Sequence, residues 1–430
     1  MGKAEAMAET HRSGSRRRWG VWIWPLVAIL WCHGLAAPGA TADEATSGWQ
    51  LGALRAEEIW QHTRGEGVTV AVIDSGVDNS IPELRGQVLE GADVTRSPEG
   101  ANVDEHGHGT DMASLIAGTG AEGGVQGLAP GANVLPVRVQ QTQSDLDFQH
   151  EERWAEAVSY AVEAGAQVIS ISLSMPDLGF ASDQLDAAIA EAVRHDVLIF
   201  ASTGNSGGED NRSTFPSNQE GVVGVAAVDP DGEHATYSTY GPQVAIAAPG
   251  TDIPLRCGIG SSEMCLGYGT SNATAIASAS AALIWSAHPD WTKNQVLRAV
   301  IDTASGGGQR DQYVGYGMIQ PARVIVDGEG EPGDPDVNPL FEAYEASLDP
   351  PATPEPQPVE DEPTHGSGEE QEAEPVEAPT ESGGSQALWL VIGGGGLAIG
   401  AAVVAWVVWN RRRQRLGTVY VGTASPPGER

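Results

Sequence analysis

The sequence predicts an α/β fold, a three-layer domain in which a mainly parallel β-sheet lies between two layers of helices. Two observations lead to this prediction. Short runs rich in Val, Ile and Ala alternate with amphipathic or Ala-rich segments from residue 68 to residue 304, and turns rich in Gly, Asp and Ser separate them. Strands that alternate with helices form parallel sheets, and the functional loops of such sheets follow the carboxyl ends of the strands.

The individual elements follow from the same pattern. A short helix is expected within 51–60, and strands are expected at 68–73, 134–139, 168–173, 197–201, 222–228 and 244–247. Helices are expected at 110–117, within 148–163, within 182–195, after Ser271, and from Thr292, a suitable N-cap, to Ala304. The stretch GTSNATAIASASAA places Ser271 where a turn of small residues becomes a helix.

The two ends of the chain carry signals for export and for membrane anchoring. Basic residues, an apolar stretch and then small residues predict a secretory signal peptide over 1–42. The charge-free run 387–409 is long enough to form a transmembrane helix, and the arginines of the tail 410–430 place that end in the cytoplasm. We therefore expect a single-pass plasma-membrane protein with its main domain outside the cytoplasm.

Three segments lie between these signals. They are an N-terminal arm at 43–67, too short to be a folded prodomain, the α/β domain at 68–323, and a linker at 324–385. The linker is rich in Asp, Glu, Pro and Gly and has no Lys or Arg after residue 323, a composition that cannot bury enough apolar surface to fold. It is expected to be a disordered tether, with an interaction tail as the alternative.

The charge of the chain limits its partners. A formal net charge of −35 makes nucleic acid and anionic lipid headgroups poor partners for the outer domain. Basic peptide segments fit this charge better, although the acidity is equally well explained by solubility.

Four polar residues stand where predicted strands end or predicted helices begin. Asp74 ends the most hydrophobic strand, Asn205 follows another strand, and His108 and Ser271 each lie where glycines give way to a helix. Each residue alone has an ordinary explanation as a turn or cap residue. Together they offer a nucleophile, a base and an orienting carboxylate, and an oxyanion beside Ser271 would find free N–H groups at the helix start.

The residues around these four positions resemble the signature blocks of the subtilisin-like serine proteases. DSG begins at Asp74, HGT begins at His108, Asn205 follows a strand, and GTS ends at Ser271, in the order and spacing of that family. The resemblance covers about residues 50–323. It implies a serine endopeptidase that cleaves polypeptides through an acyl-enzyme.

The resemblance also implies a role for each residue. Ser271 would be the nucleophile, His108 the general base, and Asp74 the carboxylate that holds the imidazolium. Asn205 and the backbone N–H of Ser271 would stabilise the oxyanion. The substrate backbone would pair with the segment Ser172, Leu173 and Ser174. The pocket for the side chain of the residue before the cleaved bond would be walled by the segment Ser202, Thr203 and Gly204.

The chain departs from the family pattern at several positions. Asn272 and Ala275 stand where the family usually has Met and Pro after its serine. Asp111 replaces a second His found in many members, and Ser174 replaces a common Gly in the binding strand. These changes bear on efficiency and pocket shape, and a side chain at 174 would narrow the cleft.

The remaining cysteines and the overall layout carry two further expectations. Cys32 would leave with the signal peptide, and the even pair Cys257 and Cys265 in an exported chain favours a disulfide over two free thiols or a metal pair. The signal, the short arm, the tether and the membrane helix together resemble mycosins, the membrane-anchored subtilases of type VII secretion systems. That resemblance implies the secretion machinery and exported proteins as partners. No cofactor or metal site is predicted, and calcium is suggested by the family resemblance alone.

Three other functions remain open on the sequence. Ser206 lies in a formal G-x-S-x-G match of α/β-hydrolase esterases, although a loop rather than a helix follows it. Asp104, His106, His108 and Asp111 form a formal metallohydrolase cluster without a second histidine group. The third alternative is a largely non-catalytic subtilase-fold scaffold that stabilises a membrane secretion complex.

Overall fold

The computed structural model describes residues 48–140, 150–177 and 183–348. The predicted signal peptide, the membrane span at 387–409 and the cytoplasmic tail lie outside these residues. Within them, no helix combines the length and the apolar composition that crossing a membrane requires.

A seven-stranded sheet forms the centre of the domain. In chain order, the strands of the described residues are β1 (Thr69–Asp74), β2 (Ala92–Asp93), β3 (Asn133–Arg138), β4 (Val168–Ile171), β5 (Met175–Pro176), β6 (Leu198–Ser202), β7 (Thr214–Phe215), β8 (Val222–Val228), β9 (Val244–Pro249), β10 (Ile253–Arg256) and β11 (Met264–Gly267). The order of the large sheet is β2-β3-β1-β4-β6-β8-β9, and all of its neighbouring strands run parallel. The strands outside the large sheet form two small antiparallel pairs, β5 with β7 and β10 with β11.

Helices cover both faces of the sheet. They are α1 (Trp49–Ala53), α2 (Ala56–Ile59), α3 (His108–Ala117), α4 (His150–Glu163), α5 (Asp183–Arg194), α6 (Thr270–Ala287), α7 (Lys293–Thr303), α8 (Pro321–Ile325) and α9 (Glu342–Leu348). Helices α3, α6 and α7 pack in one apolar cluster, and α4 and α5 pack in the other. The predicted α/β architecture with a parallel sheet is therefore confirmed.

Strand β1 shows why the predicted strands are continuously apolar. Val70 and Val72 are buried in the cluster with α3 and α6, whereas Ala71 and Ile73 are buried in the cluster with α4 and α5. Successive side chains of a strand point to opposite faces, so a strand covered on both faces needs apolar residues at every position. The alternation ends at Asp74, the first polar residue at the carboxyl edge.

Helix α6 is buried along most of its length. From Thr270 to Trp285 every residue is buried except Ser271. Its many Ala and Ser residues leave room for close packing, and the buried hydroxyls of Thr274, Ser278 and Ser280 donate to carbonyls one turn earlier. The small residues therefore allow the polar start of α6 to pack against the sheet while the side chain of Ser271 remains partly exposed.

The folded domain extends further than the sequence predicted. Residues 324–348, expected to belong to the disordered linker, include the end of α8 and all of α9. Glu345 pairs with Lys293 at 2.6 Å, and both side chains are largely buried. The composition of this segment does not predict its order, because apolar residues such as Leu340 and Tyr344 pack against core clusters made by distant parts of the chain, and Glu345 pairs with α7. The rest of the predicted linker lies outside the described residues.

Candidate active site

The carboxylate of Asp74 and the imidazole of His108 meet where β1 ends and α3 begins. His108 Nδ1 lies 2.7 Å from Asp74 Oδ1, and Asp74 is fully buried. The backbone amide of Ser75 donates to the same oxygen at 2.8 Å. Gly109 makes the approach possible, because a Cβ there would stand 2.2 Å from the carbonyl oxygen of Gly76.

The charges around His108 favour its protonated form. Burial alone would lower the pKa of His108, but the nearby carboxylates, above all Asp74 through its attraction and its hydrogen bond, together raise the pKa above the ordinary value. Asp111 and Asp104 add to the increase. The imidazole is therefore a stronger base than a free histidine, as a group that must accept a proton requires.

Ser271 is the second residue of α6 and is tied to the end of β4. Its hydroxyl donates to the carbonyl oxygen of Ser172 at 2.8 Å, and the hydroxyl of Ser172 donates to the carbonyl of Ser271 at 3.2 Å. This pair of bonds fixes the start of the helix against the edge of the sheet. The nucleophile candidate thus lies at the same edge as Asp74 and His108.

Asn205 is oriented by the start of α6. Its Oδ1 accepts from the backbone amide of Thr270 at 2.9 Å and from the hydroxyl of Thr270 at 3.1 Å. Among the described residues no hydrogen bond is made by Nδ2, which lies near Gly269. The amide therefore has one side occupied as a helix cap and its donor side free beside Ser271.

A cleft of about 340 Å³ connects these residues. The four predicted catalytic and oxyanion residues all line it, together with Ser172, Leu173 and Ser174. The other predicted pocket residues do not line it. Ser202, Thr203 and Gly204 are buried behind the cleft. Their predicted role, walling the pocket for the residue before the cleaved bond, stays a prediction.

Asp111 lies in the cleft one helical turn after His108. Burial raises the pKa of Asp111 to about 7, and the attraction of His108 opposes this increase. The nearby backbone amide of Arg256 also opposes this increase in the pKa. The sequence shows that Asp111 stands where many family members have a second His. It does not show that the Asp111 side chain lies near Arg256.

A disulfide-closed hairpin forms one wall of the cleft. Strands β10 and β11 are joined by the predicted disulfide Cys257–Cys265, and the wall residues Leu255 and Tyr268 come from or directly follow these strands. A side-chain ion pair holds the hairpin to the domain, in which Nε and Nη2 of Arg256 donate to the two oxygens of the fully buried Glu83 carboxylate. The sequence does not indicate this pair, because the two residues are 173 positions apart in the chain.

The residues that suggested a metallohydrolase or an esterase have structural roles in this domain. Asp104 accepts from the hydroxyls of Ser75 and Thr110 and from backbone amides around Gly107, so it shapes the loop before α3. Within the described residues, no group of three acidic, His or Cys side chains is arranged to hold a metal ion. The hydroxyl of Ser206 contacts Thr239, and turns rather than a helix follow it, unlike an esterase nucleophile.

A parallel sheet that carries Asp74, His108 and Ser271, in this order along the chain, at its carboxyl edge is the arrangement of a serine endopeptidase of the subtilisin type. A family model described as the subtilase family matches residues 65–317, which is more than half of the chain. The chain belongs to the subtilase family.

Individual relatives support this assignment. A thermostable alkaline protease of Halalkalibacterium halodurans is 31% identical over 279 residues, which is 64% of this chain and 73% of that protein. The solved MycP3 protease from the type VII (ESX-3) secretion system is 31% identical with a TM-score of 0.58, and the match covers 67% of this chain and 90% of that chain. A chain in the periplasmic assembly of the ESX-5 inner membrane complex is 28% identical with a TM-score of 0.58, covering 70% of this chain and 88% of that chain. The chain is therefore similar to mycosin proteases within its family.

Proposed function

We propose that Asp74, His108 and Ser271 form the catalytic triad of this endopeptidase and that Asn205 completes its oxyanion hole. The observation that carries the proposal is the 2.7 Å contact between His108 Nδ1 and Asp74 Oδ1, because it leaves Nε2 as the proton acceptor on the cleft side of the ring. Ser271 and the free donor of Asn205 line the same cleft.

Each step of peptide-bond cleavage then has a group to perform it. Ser271 Oγ attacks the substrate carbonyl while its proton passes to His108, and Asp74 stabilises the resulting imidazolium. The oxyanion accepts hydrogen bonds from Asn205 Nδ2 and the Ser271 backbone amide. His108 protonates the leaving amine as the C–N bond breaks, and the acyl-enzyme remains. A water molecule that gives its proton to His108 hydrolyses this ester and restores Ser271, so these residues perform the reaction without a cofactor.

We also infer that the enzyme is a membrane-anchored, extracytoplasmic peptidase associated with a type VII secretion machinery. The predicted signal peptide and membrane span support the anchoring. The similarity to the MycP3 protease and to a chain in the ESX-5 periplasmic assembly supports the association. Exported polypeptides are the proposed substrates. Calcium binding remains a separate proposal that rests on the family resemblance.

The decisive experiment is to replace Ser271 by Ala in the full-length chain. We expect peptide cleavage by the purified protein to disappear while its circular dichroism and thermal unfolding stay unchanged, since the hydroxyl is the only group removed. Unchanged cleavage by the variant would refute the mechanism. Ser206→Ala is a matched control at a second serine near the cleft and should keep its activity.

The scaffold alternative is tested in the producing cells. If deletion of the whole protein stops secretion and Ser271→Ala does not, the domain has a structural role in addition to its activity. If both changes stop secretion equally, the proposed association depends on catalysis.

A further inference from the structure

Asp111 places a carboxylate in the cleft beside the proposed base. It lies three positions after His108 on α3, so the two side chains share one face of the helix, and both line the cleft. The side chain of Asp111 is half-buried. Burial raises its pKa to about 7, and a cation next to this carboxylate would favour its charged form.

The guanidinium of Arg256 lies near Asp111 but is bound to other groups. Both residues line a small cavity of about 20 Å³ next to the cleft. Nε and Nη2 of Arg256 donate to Glu83, and Nη1 donates to the carbonyl of Ser261. All three nitrogens of the guanidinium therefore already have acceptors other than Asp111. The other titratable groups that line the cleft and the small cavity are Asp74, Asp78, Asp104, His106, His108 and Tyr268.

The part of the substrate that leaves first has to pass this carboxylate. In the proposed mechanism the acyl part of the substrate lies along Ser172–Ser174, and its oxyanion points to Asn205. His108 protonates the leaving amine, so the chain after the cleaved bond begins next to the imidazole. Asp111 lies on the same face of α3, and Leu255 of the hairpin lines the cleft with it. A long side chain close after the cleaved bond can therefore reach Asp111.

We propose that Asp111 binds a basic side chain, Lys or Arg, at the first or second residue after the cleaved bond and so directs the enzyme to substrates that are basic there. The inference rests on the proposed triad and adds a substrate class to it. The ammonium or guanidinium group would donate a charge-assisted hydrogen bond to the carboxylate. The net charge of −35 favours the same class of substrate. Asp111 thus determines specificity without taking part in the chemical steps.

The test uses pairs of peptides in competition. Bonds that the full-length protein cleaves in casein are first located by mass spectrometry. Peptides around one such bond are then synthesised with Lys, or with its uncharged analogue Nε-acetyl-lysine, at the first or the second position after the bond. The two peptides of a pair are mixed, and their products at low conversion give the ratio of the two kcat/KM values. The ratio is measured from about pH 5.5 to about pH 8.5, a range in which Lys stays charged.

The ratio should depend on pH in a way that identifies Asp111. At the alkaline end we expect Lys to be preferred at least about tenfold at one of the two positions. An adjacent opposite charge lowers a carboxyl pKa by about 1 to 3 units, and each unit corresponds to a factor of about ten. The preference should disappear as pH drops through the pKa of Asp111, about 7, because the carboxylate then becomes neutral. Both peptides need neutral His108, so the titration of this residue cancels in the ratio.

Three variants separate binding from other roles of Asp111. Asp111→Asn should give a ratio near one at every pH, whereas Asp111→Glu, which keeps the carboxylate, should still prefer Lys. Asp231→Asn is the matched control, because it removes the same charge from an exposed turn. It should keep the wild-type ratio and its pH dependence.

Two results would overturn the inference and leave the proposed triad intact. One is a wild-type ratio near one at both positions and at every pH, which needs no variant. The other is a preference for Lys that persists unchanged in Asp111→Asn. Peptide cleavage that Ser271→Ala does not abolish would instead refute the proposed nucleophile, and the inference with it.

Discussion

The hydroxyl of Ser271 donates its hydrogen bond to the backbone carbonyl of Ser172 at 2.8 Å, and Ser172 returns a hydrogen bond from its own hydroxyl to the carbonyl of Ser271. In the proposed mechanism the Ser271 hydroxyl must turn to His108 before it can attack. Catalytic hydrogen bonds of unliganded enzymes often form only in the substrate complex. A substrate backbone amide that donates its hydrogen bond to the Ser172 carbonyl would replace the Ser271 hydroxyl there. Substrate binding would then free this hydroxyl to turn to His108.

Replacement of Ser172 by Ala tests which half of this pair matters. The variant loses the bond to the Ser271 carbonyl but keeps the backbone acceptor of the nucleophile. We expect unfolding free energy to fall by about 1 kcal/mol, the typical value of one hydrogen bond, and kcat/KM to stay within a few-fold. Denaturant unfolding and peptide cleavage measure the two effects. A loss of kcat/KM of a hundredfold or more would show that the Ser172 hydroxyl itself supports catalysis.

Asn205 has two functions that substitution can separate. In Asn205→Asp the oxygen that caps α6 remains and the donor is lost, whereas Asn205→Ala loses both. Since one oxyanion donor typically contributes a factor of about 10² to 10³ to kcat, both variants should lose kcat by at least that order with little change in KM. Only Asn205→Ala should also lose thermal stability. A wild-type kcat in either variant would exclude Asn205 from the oxyanion hole.

The pH dependence of kcat/KM should reflect the negative charges around His108. The reaction needs neutral His108, so activity falls as pH drops through the pKa of this residue, which lies above its ordinary value. Asp111 is one of the groups that raise this pKa, and Asp111→Asn removes its charge. The acidic limb of the profile should therefore move to lower pH in the variant. Asp231→Asn, at an exposed turn, should leave the limb in place, and an unmoved limb in Asp111→Asn would contradict the assignment.

Removal of one partner of the buried ion pair between Glu83 and Arg256 should strongly destabilise the protein. Glu83 is fully buried and Arg256 is only 12% exposed, so Glu83→Gln leaves a charge without its partner in a poorly hydrated site. We expect a loss of about 3 kcal/mol in unfolding free energy. Glu122→Gln makes the same chemical change in the exposed pair with Arg85 and should cost less than about 1 kcal/mol. Similar losses in urea unfolding for both variants would contradict this contrast.

The segment 324–348 should behave as part of the folded domain. Glu345→Gln removes the carboxylate that is paired at 2.6 Å with the ammonium group of Lys293, which is 5% exposed. We expect a loss of about 3 kcal/mol in unfolding free energy. Glu342→Gln, on the exposed side of the same helix, serves as the control. Equal stability of both variants in thermal unfolding would mean that α9 does not dock as described.

Elements determined by neighbouring residues were predicted well, whereas contacts between residues distant in the chain were not. The strand ending at Asp74 and the helix following Ser271 were predicted within one or two residues, because apolar periodicity and glycine-rich turns are local. Segment 324–348 was assigned to the linker, because its contacts with Lys293 and with the two core clusters join it to distant parts of the chain. Asp111 was recognised as unusual, but its contact with the hairpin backbone was not predictable without the fold.

The sequence by itself determined the α/β architecture, the four polar groups at the carboxyl edge of the sheet, and the pair of cysteines near Ser271. These are properties of short stretches, and parallel strands bring their ends to one edge whatever the details of packing. Only the tertiary structure decided the shape of the cleft. Ser174 lies close to Gly204, Glu83 binds Arg256 of the hairpin, and the start of α6 orients the side chain of Asn205. Each of these contacts joins segments that are distant in the chain, and the packing of the whole core determines how closely such segments approach.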